Sequence, residues 1–242
     1  MKHLDLFSGI GGFALAAKWC GMDTIAFCEI DKDARASLLK NFPNVPIFKD
    51  VRSLHAADLP SPPDVITGGY PCQPFSLTGL RRGEEDDRHL WPEIKRIIRE
   101  LRSEGKQPTW CVFENVYGHL SMGLDQVLFD LEREGYSCWT FIVPACAVGA
   151  AHKRDRVWLV ANSQREGWEG REPDNGIFGS EKEAHTEFSD CLSGTWDEMD
   201  RRSRGLRSSD GISVKVVRAE CKGYGNAIVP QVAYEILRCL GT

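Results

Sequence analysis

His3-Leu4-Asp5-Leu6-Phe7-Ser8-Gly9-Ile10-Gly11-Gly12 sets the architecture of the whole chain. The apolar run 3–7 reads as a strand, residues 8–12 as a glycine-rich turn, and the residues from about Gly12 as a helix that Gly21 ends. A strand that passes through such a turn into a helix opens a βαβ unit. The glycines let its backbone come close to a ligand, and the helix start supplies free N–H groups. Further along, residues 24–28 form a second apolar run leading to Glu29, after which Asp31 caps a helix that Pro43 terminates. A short third strand over 45–49 ends at Asp50, and 64–67 reads as a buried fourth. Strands over 109–113, 138–143 and 157–161 follow, with helices near 91–102 and 124–134 between them. The alternation predicts an α/β fold with a doubly wound, mostly parallel sheet.

The chain has 242 residues, 42% hydrophobic and 27% charged, which suits one sizeable core with a small appendage and argues against disorder throughout. Nine cysteines without a CxxC pair, and six scattered histidines without a HExxH cluster, indicate neither a disulfide framework nor a metal site. A reducing cytoplasm is the expected compartment. The opening run 4–20 is interrupted by Asp5 and Lys18 and broken by glycines, unlike a signal peptide, and no other segment is apolar enough to span a membrane.

The net charge of −5 gives no bulk attraction to nucleic acid, but its distribution is uneven. Residues 162–200 carry 11 acidic and 3 basic side chains, whereas 201–222 carry 7 basic and 2 acidic. The second stretch, with Arg201, Arg202, Arg204 and Arg207, can face phosphates or simply neutralise the first. Residues 162–222 have little apolar periodicity and read as a short loop-rich lobe. The helical run 229–240, with Pro230 in its first turn, is expected to return to the sheet, so that 1–161 and 223–242 make one domain.

The tips of the first three strands bring together the glycine turn, Glu29 and Asp50. In a doubly wound fold a carboxylate at the end of the second strand accepts hydrogen bonds from ribose hydroxyls, and Asp50 is placed to meet an adenine amine. Both carboxylates also suit helix capping. Such a nucleoside pocket fits NAD and S-adenosylmethionine equally. The next loop separates them. In Gly68-Gly69-Tyr70-Pro71-Cys72-Gln73-Pro74-Phe75-Ser76 the glycines turn the chain off the fourth strand, and Pro71 and Pro74 stiffen the loop that presents Cys72. A thiol with an ordinary pKa of about 8.5 needs a cationic setting to act as a nucleophile.

DLFSGIGG, GGYPCQPFS, FENV, HKRDRVWLVA and YGNAIVPQVA stand in the order and approximate spacing of the DNA (cytosine-5) methyltransferases, and over 3–161 and 223–240 the chain resembles that family. The short lobe followed by RSSDGIS looks like that of phage or prophage-type members. The resemblance implies a Rossmann-like fold that uses S-adenosyl-L-methionine, acts on duplex DNA and needs no metal. It implies Cys72 as the nucleophile on cytosine C6, Glu114 at the N3 and amine edge of the base, and Arg154 and Arg156 at O2 and against the cysteine loop. It implies a cofactor pocket of Phe7, Gly9, Gly11, Gly12, Glu29, Ile30, Asp50, Val51, Pro71, Leu90, Asn226 and Ile228. The loop 76–88 corresponds to the family's mobile catalytic loop, which closes over a base rotated out of the duplex.

Two departures stand out. His152 occupies a place where the family usually has glutamine, and only 63 residues separate Ala161 from Gly225, where most relatives insert a full target-recognition domain. Relaxed or very short target recognition follows as an expectation. A transfer RNA cytosine methyltransferase and a non-catalytic DNA-binding relative are the alternatives from within the family's shape. A nicotinamide oxidoreductase leaves the cysteine loop unexplained.

Overall fold

The computed structural model describes residues 1–71, 90–121, 123–148, 154–163 and 228–241. Cys72, the loop 76–88, His152, Asn226 and nearly all of the lobe 162–222 lie outside the described residues.

The strands β1 (Lys2–Leu6), β2 (Asp23–Cys28), β3 (Ile47–Phe48), β4 (Val65–Gly68), β5 (Trp110–Val116), β6 (Ser137–Pro144) and β7 (Asp155–Asn162) form one sheet in the order β3-β2-β1-β4-β5-β7-β6. The first five in that order run parallel, and β7 is antiparallel to both its neighbours. The sheet is thus mostly parallel, as the alternation of elements predicts. Antiparallel neighbours need no crossover helix, and β6 leads on toward β7 through the single-turn helix Ala145–Val148.

The order reverses between β1 and β4, and in doubly wound sheets ligands bind beyond the carboxyl ends of the strands at such a point. β5 extends past the expected residue 113 to Val116, because β7 pairs with it in register as far as Arg156. Glu114 therefore stands within the strand, one residue beyond Phe113. β3 shrinks to Ile47–Phe48 at the sheet edge.

Helices cover both faces. α1 (Gly12–Trp19) and a C-terminal helix, α5 (Pro230–Arg238), pack on one side, where Phe13, Ala16 and Ala17 meet Val232, Ala233 and Ile236 over Val65, Val112 and Trp158. The alanines at this contact are fully buried, and their small side chains let the two helices approach closely. α2 (Lys32–Asn41) is capped by Asp31, whose carboxylate accepts the Asp33 and Ala34 N–H groups, and it seats Leu38 against Phe27. On the opposite face α3 (Trp91–Ser103) and α4 (Leu124–Arg133) lay Ile94, Ile97, Ile98, Val127 and Leu131 on Leu4, Leu6, Ile66 and Phe113. Among the described residues, no helix is long and apolar enough to cross a membrane.

Candidate active site

The chain leaves β1 through Phe7 at φ +54° and Gly9 at φ +53°, and Gly11 at φ +92° leads into α1. Positive φ is nearly free for glycine and costly for the phenylalanine, so the turn is held by its surroundings. Ser8 supplies one restraint, its hydroxyl donating to the Asp5 carbonyl at 2.6 Å. Glu29 supplies the other. One carboxylate oxygen accepts the Gly9 N–H and the other the Asp31 N–H, each at 2.7 Å, which ties the glycine turn to the end of β2.

The three glycines of the turn differ in what surrounds them. A Cβ added at Gly9 meets nothing within 4 Å, so this face of the turn opens to a ligand. At Gly11 it falls 3.0 Å from Leu38 and Phe42 side-chain atoms, and at Gly12 it falls 2.7 Å from Ile228 Cγ1. Those two positions are therefore packing contacts with α2 and with the segment that enters α5.

Ile30, 64% exposed beside Glu29, offers an uncovered apolar surface for a planar ring. Phe7 and Leu90 are half-buried against the core, Val51 is buried, and Pro71 is exposed where the chain leaves β4. Asp50 accepts the Arg52 backbone N–H at 3.0 Å and pairs with the Arg52 guanidinium at 2.7 Å, which holds its carboxyl below the usual range. It caps a single-turn helix, and a ligand amine at this place has to share the carboxylate with Arg52.

Across the crevice, Glu114 and Arg156 lie diagonally on the same face of the antiparallel β5–β7 pair, because Glu114 stands opposite Trp158 and Val116 opposite Arg156. Arg156 Nε reaches Glu114 Oε1 at 2.8 Å, with only 22% and 10% of the two side chains exposed. Burial pushes the Glu114 carboxyl up, and the charges of Arg156 and Arg154 pull it back part of the way. Arg154 sits just before β7 at φ +38°. The root of the Cys72 loop is adjacent, since a Cβ built on Gly69 falls 3.5 Å from Glu114 Oε2. One carboxylate, two guanidiniums and the exit of β4 thus share one end of the sheet.

Three residues that the sequence reading assigns no role buttress this corner. Asn115 donates from Nδ2 to the Tyr70 carbonyl at 3.2 Å, and the Tyr70 hydroxyl meets His119 Nε2 at 2.7 Å. His119 lies in the turn Tyr117–Ser121 that follows β5. Local sequence carries only one signal for them, the adjacency of Tyr70 and Asn115 to Cys72 and Glu114. Among the described residues, no group of three or more His, Cys, Asp or Glu side chains is arranged to hold a metal ion.

Residues 1–210 match the family model described as C-5 cytosine-specific DNA methylase. The chain is 36% identical over 168 residues to the type II methyltransferase M.AplI of Arthrospira platensis, covering 68% of this chain and 46% of the relative. It is 32% identical over 165 residues to M.HhaI of Haemophilus parahaemolyticus, covering 66% and 48%. It is 31% identical over 190 residues to M.CviJI of a Paramecium bursaria Chlorella virus, covering 71% and 50%. The chain thus spans about half the length of the curated relatives it matches. Among solved structures, a putative DNA modification methyltransferase encoded within an E. coli prophage superposes with a TM-score of 0.56 at 29% identity, over 67% of this chain and 47% of the other. DNMT2 of Spodoptera frugiperda shares the fold with a TM-score of 0.67 at 17% identity, over 100% and 99% of the two chains.

Proposed function

Because the chain belongs to the C-5 cytosine-specific DNA methylase family, we propose that it transfers a methyl group from S-adenosyl-L-methionine to C5 of cytosine in duplex DNA, through a covalent adduct at Cys72. The observation that carries this reading is the buried Glu114–Arg156 pair beside the root of the Cys72 loop. A carboxylate flanked by guanidiniums suits the N3, amine and O2 edge of a cytosine, and the same cations favour a thiolate nearby.

The pocket at the strand tips suits an adenosyl group. Gly9 leaves open space, Ile30 offers an apolar wall, and Glu29 presents a carboxylate whose oxygens each keep a lone pair beyond the backbone bond they accept. Phe7, Gly9, Glu29, Ile30, Val51, Pro71 and Leu90, with Asn226 from outside the described residues, hold the cofactor. Gly11, Gly12 and Ile228 shape its floor, and Asp50 reaches the adenine amine while still bound to Arg52. When bound, S-adenosyl-L-methionine supplies an electrophilic sulfonium methyl group.

The chain's own residues do the rest. Cys72 adds as thiolate to C6, which makes C5 electron-rich enough to attack a methyl carbon. Glu114, whose carboxyl burial shifts toward the protonated form, holds the N3 and amine edge while the ring gains charge. Arg154 and Arg156 contact O2 and keep Glu114 in place. Loss of the C5 proton then expels the Cys72 thiolate by β-elimination. Residues 1–161 with 223–242 form the catalytic domain, and 162–222 a short recognition lobe that reads few base pairs or none strongly. The cytoplasm is the place of action.

Duplex DNA carrying 5-fluorocytosine, incubated with the protein and labelled S-adenosyl-L-methionine, tests this directly, because fluorine cannot leave C5 as a proton does. A stable protein–DNA adduct that is absent in Cys72→Ala is expected. Failure to form it on varied sequences, with methylation of transfer RNA instead, would overturn the DNA reading.

A further inference from the structure

We propose that Tyr70 and His119 are a positioning pair that fixes where the chain leaves β4 on its way to Cys72, so that the hydrogen bond between them controls the rate of methyl transfer. This rests on the methyltransferase reading above and adds residues that reading does not use. Tyr70 is the second residue before Cys72. It is 5% exposed and His119 is 4% exposed, so the 2.7 Å bond between hydroxyl and imidazole is sealed from water. Burial also lowers the His119 pKa, which keeps the ring neutral, and the hydroxyl both donates and accepts, so that it bonds Nε2 in either tautomer.

The Tyr70 ring is fixed in addition by edge and tilted contacts with Trp91, Phe113 and His119 at centroid separations of 5.5, 6.0 and 5.5 Å. At its other end the Tyr70 carbonyl accepts Asn115 Nδ2. Tyr70 is therefore clamped at hydroxyl, ring and backbone to β5 and the turn after it, the same segment that carries Glu114. The clamp acts from the face of β5 opposite Glu114, where Asn115 points, and so it touches no reacting group. Its effect is to make the backbone leading to the nucleophile and the strand bearing the carboxylate one rigid body. Removing the hydroxyl at residue 70, or placing an apolar residue at 119, keeps the packing and loses this constraint.

Tyr70→Phe, His119→Leu, His119→Gln and the double substitution Tyr70→Phe with His119→Leu test the pair by two readouts, steady-state methylation and the rate at which iodoacetamide alkylates Cys72, followed by peptide mass spectrometry. Tyr70→Phe is expected to lower kcat about tenfold or more, with affinity for S-adenosyl-L-methionine within about twofold of the parent. The double variant is expected to be no slower than either single variant, and His119→Gln, which keeps an acceptor for the hydroxyl, to retain more activity than His119→Leu. Cys72 alkylation should change in Tyr70→Phe while that of Cys20 and Cys146 stays constant. Unchanged kcat, unchanged Cys72 alkylation, or losses that multiply in the double variant would each overturn the proposal. A parent protein that methylates no nucleic acid would defeat the methyltransferase reading instead, and the alkylation rates would still report on the clamp.

Discussion

Arg156 Nε stands 2.8 Å from Glu114 Oε1 across the antiparallel β5–β7 pair, and both side chains are largely withdrawn from water. The antiparallel register, which sets Trp158 opposite Glu114 and Arg156 opposite Val116, puts them there. Arg156→Met removes the main charge that pulls the Glu114 carboxyl down, and burial then keeps it protonated to higher pH. A carboxyl raised in the folded state contributes most below its unfolded pKa and loses that contribution as pH rises through the folded value. The variant is therefore expected to lose about 2–4 kcal/mol relative to the parent at pH 8, and less at pH 5, in urea unfolding. An equal loss at both values would exclude this coupling. Methylation should fall about a hundredfold or more.

Glu29 spends both carboxylate oxygens on backbone N–H groups, from Gly9 and from Asp31. A carboxamide at this place turns an N–H donor toward one of those two donors. Glu29→Gln is expected to destabilise the protein by about 1–3 kcal/mol with no cofactor present, and to weaken S-adenosyl-L-methionine binding further. A variant that matched the parent in cofactor-free thermal unfolding but not in binding would make Glu29 a ligand contact alone.

The first strand, the turn and α1 are legible in the sequence because their signals are local: an apolar run, glycines at positions that need positive φ, and helical spacing after them. The carboxylate at the tip of β2 is equally local. The insertion of β7 between β5 and β6 is not, since it pairs residues as far apart in the chain as Trp110 and Asn162 and depends on which faces they bury. The family resemblance, not a local pattern, brings Glu114, Arg154 and Arg156 together, and their shared corner depends on that non-local pairing. The contacts Tyr70–His119 and Asp50–Arg52 are not legible in the sequence, for two reasons. The first joins residues 49 positions apart. The second is a short-range pair whose geometry competes with the ligand role that the strand-end position suggests.

Gly9 and Gly12 separate the ligand face of the turn from its packing face. Gly9→Ala forces a side chain into φ +53° but meets no neighbour. The expected cost is about 1–2 kcal/mol in stability, together with a loss of S-adenosyl-L-methionine affinity, because the methyl group occupies the open face. Gly12→Ala drives a Cβ to 2.7 Å from Ile228 Cγ1. It should cost about 1–3 kcal/mol, partly recovered when combined with Ile228→Ala, which removes the atom that is struck. Additive losses in that pair, measured by thermal unfolding, would rule out the contact as the cause.

Asp5 and His3 lie fully buried on β1, joined through the Thr67 hydroxyl, which donates to Asp5 Oδ1 at 3.2 Å and meets His3 Nε2 at 2.7 Å. Burial drives their pKa values in opposite directions, Asp5 from 3.8 up to about 8 and His3 from 6.5 down to about 3. Both side chains are thus neutral at pH 7. The Glu29 charge also acts on Asp5 and raises it, while the Thr67 hydroxyl and the Ala14 N–H lower it. As pH rises from 4 to 6.5, His3 in the unfolded chain gives up its proton and the fold gains stability, while Asp5 in the unfolded chain is already ionised and the fold loses it. The two slopes oppose each other there. Between pH 6.5 and about 8 only the Asp5 loss remains. One proton over this interval amounts to about 2 kcal/mol. Asp5→Asn keeps the shape of the neutral acid and has no proton to lose, so its advantage over the parent should grow by that amount from pH 6.5 to 8 in urea unfolding. Parallel stability curves for the two proteins across this window would mean that Asp5 is ionised in the fold.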